Sequence, residues 1–254
     1  MRDYGVFEPG PLAFVIIPVL LVGVLGWGTL VAWRRSGATV HSARRAAAIG
    51  AGTACLWLAA TWAAAASGIL RQWDRRPPPF AILVLSIVAL GIGMAYSRFG
   101  NRIAAAIPLW VLVFVQAFRL PLELAMHGMY TRGIMPVQMT YTGLNFDIVT
   151  GAAAIPVAVL CATRHGSSRG IVAAWNVLGL ILLINVVTVA ILATPAFRYF
   201  GEQSLNVWVT YPPFVWLPAV MVLAAFAGHL LIFRALARQR DDDSRRRSGT
   251  SYAG

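Results

Sequence analysis

Apolar residues in this chain come in blocks long enough to cross a bilayer as helix, about 20 residues each. Short polar stretches carrying arginine separate them. Seven spans are predicted: 11–33, 46–70, 80–96, 103–126, 146–163, 171–193 and 213–236. The first ends at Arg34-Arg35, follows acidic Asp3 and Glu8, and outruns the apolar part of a signal peptide, so it reads as a retained helix. No internal repeat and no linker divides the chain. The pattern therefore predicts an all-α, polytopic integral membrane protein, a seven-helix transmembrane bundle forming one domain. Residues 237–254 are expected to be a disordered, Arg-rich cytoplasmic tail, because they have too little apolar surface to bury.

Composition strengthens this reading. Only 12% of the residues are charged and 59% are hydrophobic, whereas a soluble domain carries about 25% charge. A soluble enzyme, a disordered chain and a disulfide-built secreted domain are excluded. Cys55 and Cys161 fall within spans and read as small buried hydrophobes. The net charge is +12, and all 21 basic residues are arginine. Such a balance would point to nucleic acid in a soluble protein. Here the arginines sit at span ends, where they meet lipid headgroups and set orientation, so no nucleic-acid partner is expected. Without lysine no retinal Schiff base forms, which excludes a light-driven rhodopsin.

Arg34, Arg35, Arg44, Arg45, Arg98, Arg102, Arg164, Arg169 and the arginines from Arg234 onward fall on one side of a seven-span arrangement. That side should be cytoplasmic, with the N-terminus outside and the C-terminus inside, in a bacterial inner (cell) membrane. Arg71, Arg75 and Arg76 run against the trend.

Ionisable groups within spans are costly and invite a functional reading. Gln116, Arg119, Glu123 and His127 share one face of the fourth span, and Arg119 and Glu123 are one turn apart, close enough to pair. Counted from Arg102, Arg119 lies about 25 Å along that span. Pro121 should kink it. Asn145 and Asp147 open the fifth span, and Asn185 and Thr188 of the sixth lie at comparable depth. Tyr199, Trp208, Tyr211 and Trp216 belong to an aromatic, Pro-containing connection before the seventh. These residues suggest an outward-facing pocket with a polar floor and an aromatic lid. His229 is placed in the inner half of the last span, away from His127, and is assigned a hydrogen bond to a neighbouring helix. Asn176 and Asn185 lie on opposite faces of one helix and do not form one site. No metal is expected, since no HExxH, paired histidine or cysteine cluster occurs. No cofactor is expected either, for want of any P-loop or dinucleotide pattern.

The stretch FRLPLELAMHGMYTRGIMPVQMTYTGLNFDIVTG, with PFVWLP opening the last span, resembles a family of uncharacterised bacterial seven-helix membrane proteins. The resemblance implies the architecture and no activity. From the residues, the leading expectation is binding of a small ligand or ion, for transport or sensing, by Gln116, Arg119, Glu123, His127, Asn145, Asp147 and Asn185. Arg119 is assigned an anion contact. Two alternatives stand beside it: an intramembrane enzyme using Glu123, Asp147 and His127, and a structural or assembly subunit in which Arg119 and Glu123 form a strut. The expected partners are membrane lipids, the ligand or ion, and a second copy of the chain or a membrane complex.

Overall fold

The computed structural model describes residues 9–164 and 168–250, which are helical with no strand among them. Asp3, Glu8 and the last four residues of the predicted tail lie outside that range. Nine α-helices follow in order among the described residues: α1 Pro9–Arg35, α2 Val40–Ala66, α3 Pro79–Tyr96, α4 Arg98–Ala106, α5 Leu109–Val115, α6 Arg119–Thr131, α7 Ile148–Thr163, α8 Arg169–Leu192 and α9 Leu223–Thr250. Six stretches are long and apolar enough to cross a membrane: α1, α2, α3, the α5–α6 unit Leu109–Thr131, α8, and the last helix from Leu217. The chain is a multi-pass membrane protein.

The fourth and last predicted spans are interrupted in the structure, and a proline lies at each interruption. The fourth was expected to be continuous over 103–126. Instead α4 stops at Ala106, Ile107 is extended, and the span begins at Leu109. Pro108 disfavours helical geometry at the residue before it, which breaks the run there. Within the span, Pro121 has no N–H to offer the carbonyl of Ala117, and a 3₁₀ turn over Gln116–Phe118 joins α5 to α6. The last span was expected from residue 213 but begins as a π-helical turn over Leu217–Val222, containing Pro218. The indole Nε1 of Trp57 in α2 donates to the Ala219 carbonyl in this turn at 2.7 Å. Trp216 Nε1 returns a bond to the Leu58 carbonyl at 3.0 Å. These two bonds add to the packing of α2 along α1, which buries Ala43, Thr61 and Ala65.

The predicted fifth span is α7, 16 residues long. At 1.5 Å per residue it covers about 24 Å, short of the roughly 30 Å hydrocarbon core. The segment before it is irregular: Thr140, Asn145 and Asp147 are non-helical yet buried in protein. Irregular backbone is tolerated at membrane depth in that situation. The tail also departs from expectation, since α9 continues as helix through Thr250. Extending an established helix costs little per residue, and Arg and Gln are good helix formers.

The core divides into two apolar clusters. One, toward the long connections 132–147 and 193–216, gathers Phe14, Leu122, Met126, Leu183, Trp208 and Phe214. The other, toward the arginine-rich end, gathers Val113, Ala154, Val172, Trp175 and Ile232. On the α5–α6 unit, α8 and α9, which serve both, polar or small residues lie in between: Gln116 and Arg119, Asn176 and Gly179, His229. A polar layer thus crosses the middle of the bundle.

Helix α3 closes on α9 at Gly91, where an added Cβ would stand 2.5 Å from Phe226 Cδ1. Gly91→Leu should therefore push these helices apart and cost about 1–3 kcal/mol. Thermal unfolding in detergent, followed by tryptophan fluorescence, checks this; an unchanged midpoint would show that Phe226 swings away freely.

Candidate functional site

The polar layer is built around Arg119, which is 1% exposed. Three glycines allow the surrounding helices to reach it, as small residues do between membrane helices. At Gly151 in α7 a Cβ would come within 2.5 Å of the Leu120 backbone nitrogen. At Gly179 in α8 it would stand 2.6 Å from His229 Cε1 and from Thr150 Cγ2. At Gly228 in α9 it would overlap the Gln116 side-chain amide.

Arg119 pairs with Asp147, not with Glu123 one turn away. Its Nε donates to Asp147 Oδ2 at 2.5 Å and its Nη2 to Asp147 Oδ1. This two-point fork is the strongest geometry open to the pair. Nη1 lies 2.6 Å from His229 Nε2. A guanidinium has no lone pair to share, so Nε2 must accept, which places the imidazole proton on Nδ1. That proton is directed at Asn176 Oδ1, 2.8 Å away, and Asn176 Nδ2 donates to the His229 backbone carbonyl at 3.1 Å. Trp175 stacks at 5.9 Å on the same ring. The chain Asp147–Arg119–His229–Asn176 links α6 to α9, α8 and the start of α7, and each group in it has its hydrogen-bonding role filled.

Glu123 is held differently. Both its oxygens accept from one amide, Asn145 Nδ2, at 2.9 and 2.8 Å. The same nitrogen donates to the Met139 carbonyl at 3.1 Å, and Asn145 Oδ1 accepts the Asp147 backbone N–H at 3.1 Å. Asn145 has nothing more to give. Around this centre two carboxyl groups face one guanidinium, already committed to Asp147, and one neutral imidazole. Glu123 is the charge without a dedicated counterion.

A cavity of about 210 Å³ reaches this centre, with Arg119, Glu123, Asn145 and Asp147 along it and otherwise almost wholly hydrocarbon walls. Gly179, beside Arg119, precedes the cavity residue Leu183 by four positions, about 6 Å of helix, so the charged groups mark the cavity's end nearer the arginine-rich side. The expected polar, outward-opening pocket is therefore replaced by an apolar one. At the loop end Met139, Asn206 and Val209 close it, backed by Trp208, Phe14 and Phe214 in mutual edge-on contact. Trp208 and Trp216 of the predicted lid are packed inward, whereas Tyr199 is exposed.

The other predicted site residues lie elsewhere. Gln116 is buried below Arg119 against Gly228, with Oε1 unpartnered among the described residues. His127 stacks on Tyr141 at 4.7 Å, outside the cavity lining. Asn185 Nδ2 straps α8 to the loop through the Leu144 carbonyl at 2.7 Å. His229 and Asn176 belong to the site although sequence reasoning set them aside. The depth estimates for Arg119 and His229 ran from Arg102 and Pro213, neither of which starts its helix. Counted from Leu109, Arg119 is about 15 Å along, at mid-depth and level with His229. Pro108 was the available signal. Among the described residues no three His, Cys, Asp or Glu side chains converge as a metal site would require.

No protein-family model, curated protein or solved structure matches the chain. The functional reading rests on the site alone.

Removing one partner of a buried pair strands the other's charge, at a cost of about 3–5 kcal/mol. Asp147→Asn should therefore lower stability sharply, while Arg119→Met combined with Asp147→Leu should recover most of the loss. Unfolding midpoints of the single and double variants measure this. Additive losses would mean that the two side chains do not pair.

Proposed function

We propose that this protein binds a small ligand or ion in the membrane, for transport or sensing, with Glu123 as the responsive group. One observation carries the reading: a buried carboxyl group with no counterion of its own lines a cavity large enough for a guest. Arg119, first assigned an anion contact, takes another part. Its fork is closed by Asp147 and its next donor is spent on His229, so it is the fixed counterion that holds four helices in register. With no counterion of its own, Glu123 is neutralised by a bound proton, which a cation can replace, whereas an anion would only add negative charge.

Seven spans remain the reading for the whole chain. In it α7 is the short span, lengthened by the buried segment before it. An odd count places the two termini on opposite sides. With the arginine-rich ends of α1, α4 and α9 cytoplasmic, the N-terminus is outside and the cavity lies toward the outer half of a bacterial inner membrane.

A hydrophobic carbodiimide tests the responsive carboxyl, because it attacks protonated carboxyl groups and leaves a stable acylurea. In membranes, dicyclohexylcarbodiimide should modify Glu123 and leave Asp147 unmodified, as mapped by mass spectrometry, and Glu123→Gln should abolish the adduct without changing the unfolding midpoint. A chain modified at neither residue, or at Asp147 alone, would overturn the proposal.

A further inference from the structure

The cavity's route of access is not through its loop end, which Met139, Asn206 and Val209 close. It lies sideways. Helices α3 and α8 both line the cavity yet form no packed seam with each other. Val88 of α3 is 42% exposed and Ile184 of α8 is 57% exposed, and both belong to the cavity lining, as does exposed Thr188. Each of these three residues lies in a helix that crosses the membrane, so the gap between them faces hydrocarbon. A guest reaches Glu123 from the lipid.

We infer that the cavity admits a single-chain amphiphile with an amine head, entering between α3 and α8, its nitrogen meeting Glu123 and its alkyl chain leaving through the gap. The inference rests on Glu123 being the responsive carboxyl, and adds what it responds to. Three features select this class. The walls offer hydrocarbon, which fits an alkyl chain and repels a hydrated ion. The deep end is bordered by Glu123, whose Oε1 and Oε2 have the Asn145 amide as their one donor among the described residues. The route runs through lipid, so the guest must cross it uncharged. A neutral amine satisfies all three, because the carboxyl proton of Glu123 passes to the amine nitrogen on arrival. An ammonium–carboxylate pair results beside the Arg119–Asp147 pair, and the total charge of the site does not change. A fatty acid would set a second carboxyl against Glu123, and a fatty alcohol would gain no ion pair.

The test uses the full chain in phosphatidylcholine nanodiscs and a dodecylamine carrying a diazirine on its terminal carbon. After irradiation, peptide mapping should find adducts on α3 and α8 around Val88, Ile184 and Thr188. Unlabelled dodecylamine should compete these away; butylamine, which lacks the chain, should not. Dodecanol and dodecanoic acid bearing the same diazirine should label about tenfold less, the scale of one charge-assisted contact. Glu123→Gln should reduce amine labelling by a similar factor. Ile184→Trp, a change at the lipid-facing mouth that leaves the polar layer intact, should do so as well. Dodecylamine should also protect Glu123 from carbodiimide.

Equal labelling by all three head groups, or labelling unaffected by Ile184→Trp, would overturn the inference. So would competition by butylamine as effective as that by dodecylamine. If Glu123 still reacts with carbodiimide in any of those cases, the responsive carboxyl survives and only the amphiphile is lost. If Glu123 is inert as well, both fall.

Discussion

A guanidinium buried at the middle of a membrane protein must be matched, and here the match comes from a different helix. Even by the mildest scales an arginine at that depth costs about 2.5–3.5 kcal/mol. Asp147 closes the fork on Arg119, and much of the architecture follows from bringing it there. Helix α7 begins inside the protein with Asp147 immediately before it, which leaves it at 16 residues and makes the preceding segment irregular and buried. Gly151 lets the first turns of α7 lie backbone against backbone with α6. Gly179 and Gly228 leave room for the side chains of His229 and Gln116 instead, so His229 and Asn176 can absorb the remaining polarity. The result is a polar layer between two apolar clusters, held by the linked bonds of Asp147, Arg119, His229 and Asn176.

Glu123 gains its character from that arrangement. If it paired with Arg119 along the helix, the centre would be a closed strut and Asp147 would be the surplus. Because Asp147 takes both points of the fork, the surplus falls on Glu123, at the same end of the cavity. The Asn145 amide orients it without neutralising it. The strut expected between Arg119 and Glu123 is made by Arg119 and Asp147 instead, which leaves Glu123, one turn along α6, as the group that the proposed binding role rests on.

The elements of this centre were partly legible in the chain. Arg119, Glu123, Asn145 and Asp147 stand out because charged and amide groups are scarce in such apolar segments, and the helical offsets put the first two on one face. Their pairing was not legible, because periodicity places residues on a helix but does not say which helix supplies a counterion. The hydrogen bond expected from His229 to a neighbouring helix is present, to Asn176, but its level with Arg119 was hidden because the breaks at Pro108 and Pro218 move the start of both spans. Asn176 and Asn185 do lie on opposite faces, and only Asn176 faces the centre. His127 and Asn185 share a face or a depth with the centre yet lie outside it; contact with Tyr141 and with the Leu144 carbonyl claims them. The sideways cavity left no trace in the sequence, because it is a gap between two helices whose residues look like any lipid-facing surface.

The central claim is a division of labour between two buried carboxyl groups, and carbon-13 solid-state NMR of the protein in lipid bilayers addresses it directly. With Asp and Glu side chains labelled, the account predicts that the Asp147 carboxyl carbon stays at its ionised position and recouples strongly to the guanidinium nitrogens of Arg119 across a pH titration. The Glu123 carboxyl carbon should shift during the same titration and recouple to the Asn145 side-chain nitrogen. Both signals moving together, or Glu123 recoupling to the guanidinium in place of Asp147, would contradict the account.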